Sequence, residues 1–256
     1  MRGPEEVAAV EALGAEGHNA SQIASITGLP RSTVRDWLTR PALDRRRSSN
    51  GPRCQTCGGS HGTEALPVSY VYLLGLYLGD GCISAHRRGV YRLRIFLDLR
   101  YPGIVSACVA AIQDLTPGNR VGMQDQYSHY VERDKPSNVQ VSAYSKTWPC
   151  LFPQHGRGRK HERPIALTPW QRELVERDPR GLLSGLIHSD GCRFMNTGRN
   201  WRSPRYSFRN RSDDIRAIFC AACDLLGVRW TTAPHTVYVS RKADVARLDE
   251  FIGPKA

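Results

Sequence analysis

Apolar positions recur at helical spacing through residues 1–40, in two stretches. The first, "PEEVAAVEALGAEG", has acidic residues in its first turn, and Gly14 or Gly17 can end it. The second, "NASQIASITGLPRSTVRDWL", is divided by Gly28 and has five positions expected to face inward: Ile23, Ala24, Leu29, Val34 and Trp37. Because Gly28 can take the positive φ that a tight turn requires, the pattern predicts an all-α helix-turn-helix domain over residues 1–40.

A helix-turn-helix domain places the start of its second helix in the DNA major groove. If this domain binds DNA, the groove-facing residues are predicted to be Arg31, Ser32, Thr33 and Arg35. The alternative is a three-helix interaction module without a role in DNA binding.

Residues 41–63 are polar and basic, which predicts a linker able to follow phosphates. The linker contains Cys54 and Cys57 in a Cys-x-x-Cys-Gly pattern, followed by His61. These three residues are candidate ligands for structural Zn²⁺, with a fourth ligand from Cys150 or His155. The alternative is an exposed, reduced cysteine pair in a turn.

Residues 64–256 show the same order of elements twice, in halves of about 64–150 and 165–256. Each half begins with an apolar helical run and continues through alternating, strand-like segments and further helices, as "YRLRIFLDL" and "PRYSFRNRS" illustrate. An α+β domain built from an internal repeat is therefore predicted.

The first helix of each half ends in an aspartate: "YLLGLYLGDGCIS" at Asp80 and "LLSGLIHSDGCRF" at Asp190. Small residues four positions apart precede both aspartates, so the two helices can pack with their backbones close together. A carboxylate at a helix C-terminus costs about 0.3–1 kcal/mol, and two together repel each other. A divalent cation relieves both costs, and carboxylate oxygens favour Mg²⁺ or Mn²⁺.

An Asp-Gly turn after an apolar helix is common, and a single copy would favour a purely structural interpretation. Two copies, each with the same small-residue spacing and each followed by Gly-Cys, favour a metal site.

The segments "LSGLIHSDG" and "LLGLYLGDG" resemble the signature of the LAGLIDADG homing endonucleases, over about residues 66–252. The resemblance implies the two-repeat, monomeric form: a pseudo-twofold αββαββα duplication with antiparallel saddle sheets on the DNA major groove. It also implies that Asp80 and Asp190 bind catalytic metal. Lys146 and Lys242 fall where the family often has a basic catalytic residue, although a lysine at a strand end is usually only solvated.

The overall charge supports a polyanionic partner. The formal net charge is +12 over 256 residues, which suits double-stranded DNA, although a generally basic surface is the simpler alternative. No signal-peptide core or membrane-length apolar run is present, so a cytoplasmic protein with reduced cysteines and no membrane partner is expected.

Strand residues that alternate with core positions are the candidate DNA readers. They are Arg92 and Arg94 in the first half, and Arg205, Ser207, Arg209, Asn210 and Arg211 in the second.

The sequence therefore predicts a site-specific, divalent-metal-dependent DNA endonuclease. The alternative from another class is a DNA-binding transcriptional regulator that keeps the fold without cleavage. Maturase-like RNA binding is a third possibility. Retention of both Asp80 and Asp190 favours the enzyme.

Overall fold

The computed structural model describes residues 4–39, 66–127 and 135–255. The chain divides into two compact units, Met1–Gly62 and Thr63–Ala256. Cys54, Cys57 and His61, and with them the predicted zinc site and the whole of the predicted linker 41–63, lie outside the described residues. Within the described ranges, no helix is both long enough and apolar enough to traverse a lipid bilayer.

The first unit contains three helices, α1 (Pro4–Ala15), α2 (Ala20–Thr27) and α3 (Arg31–Thr39). Asn19 caps α2 by accepting bonds from the backbone N–H of Ser21 and Gln22, and the Gln22 side chain accepts from Asn19 N–H in return. Gly28 ends α2 with φ 68°, the left-handed conformation expected for this turn. The core of the unit is formed by Val10, Ile23, Leu29 and Val34, with Ala24 and Trp37 packed against it.

The first half of the second unit follows the predicted αββαββα order. Its elements are α4 (Ser69–Asp80), β1 (Gly81–Ala85), β2 (Tyr91–Asp98), α5 (Pro102–Leu115), β3 (Val121–Gln126), β4 (Asn138–Ser145) and α6 (Trp148–Leu151). The four strands form an antiparallel sheet in the order β1-β2-β4-β3.

The connector between the halves contains a short 3-10 turn at Lys160–Glu162 and then helix α7 (Pro169–Arg177). Helix α7 begins with a capping box, formed by Thr168 and Gln171. Gln171 is fully buried and donates to the hydroxyl of Tyr70 at 2.7 Å, which fixes the connector to the first half.

The second half repeats the order. Its elements are α8 (Pro179–Asp190), β5 (Gly191–Gly198), β6 (Trp201–Arg209), α9 (Asp213–Leu225), β7 (Thr231–Ala233), β8 (Thr236–Val239) and α10 (Lys242–Asp249). Its sheet has the order β5-β6-β8-β7, strand for strand the order of the first sheet. The duplicated α+β fold predicted from the sequence is thus confirmed.

The register shows which positions of the two halves are equivalent. Gly81 lies opposite Ile95, which lies opposite Val141, while Gly191 lies opposite Phe208, which lies opposite Val237. The inward-facing residues of both sheets join the sides of α4 and α8 in one continuous core. Because one core serves both halves, separating the halves would expose the buried sides of α4 and α8 to solvent.

Candidate functional site

Helices α4 and α8 pack with almost no side-chain volume between their backbones. A Cβ on Gly75 would lie 2.6 Å from the carbonyl oxygen of Leu182 and 2.8 Å from the Cα of Gly185. A Cβ on Gly185 would collide with the carbonyl oxygen of Tyr72. Nothing larger than glycine fits at either position, so the small residues at four-residue spacing fix how the two helices meet.

Both signature aspartates are brought together at one end of this helix contact. Burial raises the pKa of Asp80 to about 6, and the charge of Asp190 adds to the rise, while Lys160 and Lys255 partly oppose it. Burial also raises the pKa of Asp190. A Cβ on Gly79 would lie 3.0 Å from Oδ2 of Asp190, so the carboxylate of one half reaches across to the helix end of the other.

Asn210 holds the carboxylate of Asp190. Its Nδ2 donates to Asp190 Oδ2 at 2.6 Å, while its Oδ1 accepts from the backbone N–H of Ser212 at 2.8 Å. The second bond fixes the orientation of the amide, because an amide oxygen cannot donate. The sequence singled out Asn210 as a base reader, whereas the structure places its amide on an aspartate; that bond helps to moderate the rise in the pKa of Asp190.

Two lysines close the C-terminal ends of the signature helices. Nζ of Lys160 donates to the carbonyl oxygens of Leu78 and Gly79 at 2.8 Å, and to that of Tyr77. Nζ of Lys255 donates to those of His188 and Ser189 at 2.8 and 3.4 Å. Cations at these ends offset the unfavourable placement of carboxylates at the negative end of the helix dipole.

Burial lowers the pKa of Lys160 to about 8, although the negative charges of Asp190 and Asp80 partly oppose this fall. Burial likewise lowers the pKa of Lys255, again opposed by Asp80 and Asp190. Neither lysine was found by sequence reasoning as a site residue. Lys160 lies in the connector stretch "HGRGRKHER", outside both aspartate motifs, and Lys255 lies in the last few residues of the sequence.

Lys146 and Lys242, the catalytic lysines expected from the resemblance, are both exposed. Lys146 follows the end of β4, and Lys242 begins α10. Neither is among the charged groups that shift the pKa of Asp80 or Asp190, whereas Lys160 and Lys255 shift both.

His188 lies on α8, two residues before Asp190. Its Nδ1 lies 3.0 Å from the hydroxyl of Tyr72, and the two rings pack edge to face at 5.6 Å. Burial lowers the pKa of His188 to about 4, so the ring is neutral near pH 7.

Two clefts flank the aspartate pair. The first, about 610 Å³, is lined by Asp190, Lys160 and Cys82 together with several arginines. The second, about 350 Å³, is lined by Asp80, Lys255 and Cys192. Each cleft thus combines the start of one half's first strand with the aspartate of the other half.

The predicted readers Arg92 and Arg94 lie on the face of the first sheet opposite its core. Nη2 of Arg92 donates to Oγ of Ser142 at 3.1 Å, and its guanidinium lies 5.5 Å from the centre of the Tyr144 ring. The Nε–H groups of both arginines are buried and have no hydrogen-bond partner among the described residues.

The corresponding face of the second sheet carries Arg205 and Ser207, with Arg209 at the end of β6. Nε of Arg205 donates to Oγ of Ser240 at 2.7 Å, and its guanidinium lies 4.6 Å from the centre of the Tyr238 ring. By the register, Arg205 is the equivalent of Arg92, so both halves fix an arginine between a serine and a tyrosine. Arg209 and Arg211 line the larger cleft beside Asp190.

In the first unit, the predicted groove-facing residues lie at the start of α3. Arg31, Ser32 and Arg35 are exposed and Thr33 is half-buried, while Val34 between them is fully buried. This arrangement leaves the polar residues available to a partner.

The donor set of the aspartate pair fits a hard divalent cation. Within the described ranges, no group of three or more His, Cys, Asp or Glu side chains is placed to hold a metal, so the protein would supply two carboxylates. Mg²⁺ is commonly bound in this way, by one or two carboxylates with water and substrate phosphate completing its shell. The pKa of both acids stays raised, so the nearby lysines only partly offset the cost of burying the two negative charges.

Solved structures of LAGLIDADG proteins are similar to this chain at low sequence identity. The homing endonuclease I-WcaI bound to its DNA recognition sequence is 9% identical, with a TM-score of 0.46 over 84% of this chain and 88% of that one. The N-terminal LAGLIDADG domain of DUF199/WhiA is 13% identical, with a TM-score of 0.43 over 77% and 84%. The resemblance is one of fold.

Full-length DUF199/WhiA from Thermatoga maritima is also 13% identical, with a TM-score of 0.45 over 76% of this chain and 57% of that one. No protein-family model and no curated protein matches the chain. The LAGLIDADG resemblance carried by the two motifs is thus found again among solved structures, and the fold class itself rests on the element order described above.

Proposed function

We propose that this protein is a site-specific endonuclease that hydrolyses double-stranded DNA with a divalent cation, Mg²⁺ or Mn²⁺. The observation that carries the proposal is the joining of Asp80 and Asp190, half-buried and raised in pKa, at one end of the glycine-lined helix contact. A half-buried pair of acids that repel each other is costly in a purely structural role.

In this proposal the two carboxylates would hold the cation where a phosphate of the DNA backbone binds. A bound divalent cation would polarise the phosphate and lower the pKa of the attacking water. Asn210 orients Asp190, since its amide is fixed on the opposite side by Ser212. Helices α4 and α8 fix the distance between the carboxylates, because the two helices cannot move apart without opening the buried core.

Lys160 and Lys255 provide the positive charge that stabilises the developing charge on the phosphate. Their ammonium groups lie at the helix ends that carry the aspartates and interact with both carboxylates. Since Lys146 and Lys242 are exposed and do not shift the pKa of either aspartate, we assign this role to Lys160 and Lys255 instead.

The sheet faces supply DNA recognition. Arg92 and Arg205, each fixed by a serine and a tyrosine, are oriented before DNA arrives, which lowers the entropy lost on binding. Arginine reads guanine in the major groove through two hydrogen bonds. Because both halves belong to one chain with an internal pseudo-dyad, we expect the protein to act as a monomer.

The proposal is tested by cleavage of a plasmid library with Mg²⁺ or Mn²⁺, comparing the wild-type protein with Asp80→Asn and Asp190→Asn. We expect cutting at one sequence by the wild type and a loss of at least about 100-fold in both variants, a loss of the size seen when one charge-stabilising group is removed. The matched control Asp125→Asn changes an exposed aspartate of β3. Equal cutting by all four proteins would refute the assignment.

A DNA-binding regulator without cleavage is the second candidate. The observation in its favour is that Lys160 and Lys255 already place two positive charges beside the two aspartates, so the pair could persist without a cation. If the wild type binds DNA but cuts nothing with either metal, this candidate replaces the endonuclease. The predicted helix-turn-helix and the zinc site are shared by both candidates; unchanged zinc content in Cys54→Ser would exclude that site.

A further inference from the structure

The two clefts beside the aspartate pair differ in charge although the fold around them is duplicated. We define the basic cleft as the one containing Asp190 and Lys160, and the neutral cleft as the one containing Asp80 and Lys255. The basic cleft has five cationic side chains against one carboxylate: Arg159, Lys160, Arg163, Arg209 and Arg211 against Asp190. Arg159 lies 3.9 Å from Glu162, and Lys160 already donates to three backbone carbonyl oxygens. Among the described residues, Arg163, Arg209 and Arg211 have no carboxylate within ion-pair distance, so three cations of this cleft remain unpaired.

The neutral cleft has two cations against two carboxylates, Arg100 and Lys255 against Asp80 and Asp98. The guanidinium of Arg100 donates to both carboxylate oxygens of Asp98: Nη2 and Nε lie 2.6 and 2.9 Å from Oδ2, and Nε lies 3.2 Å from Oδ1. A guanidinium bound to both oxygens of a carboxylate offers much less attraction to a phosphate than an unpaired one.

The aspartates themselves are unequal as well. Asp190 in the basic cleft is held by Asn210, whereas the position equivalent to Asn210 in the first half, counted from Phe208 and Ile95 in the register, is Leu97. Leu97 is a buried apolar residue and cannot donate a hydrogen bond. The carboxylate in the basic cleft is thus oriented by a side chain that the other half does not have.

We propose that the two DNA strands are cut in a fixed order, the first nick falling on the strand whose phosphate enters the basic cleft. The proposal rests on the proposed endonuclease function and adds a strand preference to it. The pseudo-dyad places one cleft on each of two antiparallel strands, and a phosphate is held more strongly where unpaired cations surround it. Screening by salt should weaken this preference, because exposed charges interact over about 10 Å at 0.1 M ionic strength.

The test uses the full-length protein, Mg²⁺ or Mn²⁺, and the target recovered from the plasmid library, with each strand labelled separately. We expect an open-circle intermediate that is nicked on one defined strand. This strand should be cut about tenfold faster than the other, a difference in activation free energy of about 1.4 kcal/mol. The ratio of the two rates should fall as ionic strength rises. Because it is a ratio, it does not depend on how much of a variant is correctly folded.

Two variants should move the ratio in the same direction by different routes. Arg211→Ala should slow the fast strand about threefold and leave the slow strand unchanged. Asp98→Asn should release Arg100 and speed the slow strand by a similar factor. The matched control is Asp213→Asn, which removes an acid that pairs with Arg216 three residues later and lies outside both clefts; its ratio should equal that of the wild type.

The outcomes separate this inference from the function on which it rests. Cutting of both strands at equal rates, or a ratio that neither salt nor Arg211→Ala changes, overturns the strand order while leaving the endonuclease intact. If Arg211→Ala slows the slow strand instead of the fast one, the basic cleft cuts the slow strand. This result also overturns the proposed order. Absence of any cutting removes the endonuclease and the strand order together.

Discussion

Replacing Asp80 by asparagine should make the metal-free protein more stable. Burial and the charge of Asp190 raise the pKa of Asp80 from 3.8 to about 6. Each pKa unit corresponds to about 1.36 kcal/mol, so the ionised carboxylate costs the folded protein on the order of 3 kcal/mol. Asparagine has nearly the same shape and cannot ionise, so Asp80→Asn should recover about 2–3 kcal/mol at pH 7.5.

The sign of the pH dependence follows from the raised pKa. A group whose pKa is higher in the folded state contributes stability at low pH and loses it as the pH rises through its folded value. Wild type and Asp80→Asn should therefore be equally stable near pH 3.8 and below, diverge between about pH 4 and 6, and keep a constant difference above pH 7. For a domain of this size the difference amounts to an increase in Tm of roughly 4–12 °C.

The assay is a series of thermal melts followed by circular dichroism from pH 4 to 8, with a chelator present. The exposed Asp125→Asn serves as the control and should stay within about 0.5 kcal/mol of the wild type. Addition of Mn²⁺ should then raise the Tm of the wild type and leave that of Asp80→Asn unchanged, because only the folded wild type binds the cation. An Asp80→Asn protein that is less stable than the wild type at pH 7.5 would refute the buried-pair reasoning.

Three further outcomes test separate parts of the structure. Gly185→Ala should destabilise the protein by at least about 2 kcal/mol in denaturant unfolding, because its methyl group has no space against α4. The control Gly122→Ala, on a strand with open space around it, should not be destabilised, and equal stability of the two variants would contradict the close helix contact. Asn19→Ala should lower the free energy of opening of residues 20–39 by about 1 kcal/mol, measured by amide hydrogen exchange, and unchanged protection would show that the cap does not stabilise α2. Arg205→Ala should weaken DNA binding by about 1–3 kcal/mol in fluorescence anisotropy, and wild-type affinity would remove it from the reading face.

Local signals explain how much of the fold the sequence predicts. The small-residue spacing before Asp80 and Asp190 marks helices α4 and α8, and alternation marks β2, β4, β6 and β8. Strands β3 and β7 escape individual prediction, because β7 is exposed throughout, half of the residues of β3 are exposed, and neither strand alternates between apolar and polar residues. Their presence depends on pairing with β4 and β8, which is a tertiary effect.

The site is predicted less completely, for a physical reason. The aspartates are marked by their own motifs, but the lysines that compensate them come from segments 80 and 65 residues further along, with no local pattern. The bond from Asn210 to Asp190 likewise depends on where β6 ends, not on a motif. Distances between side chains far apart in the chain are set by packing, and a single sequence does not contain them explicitly.

The central claim is that Asp80 and Asp190 jointly hold a divalent cation where DNA binds. It is tested most directly by titrating Mn²⁺ into the protein with a DNA duplex present and measuring free Mn²⁺ by electron paramagnetic resonance, for the wild type, Asp80→Asn and Asp190→Asn. We predict additional bound Mn²⁺ in the wild type that is lost in both variants while DNA binding is retained. The same amount of bound Mn²⁺ in all three proteins would contradict the claim.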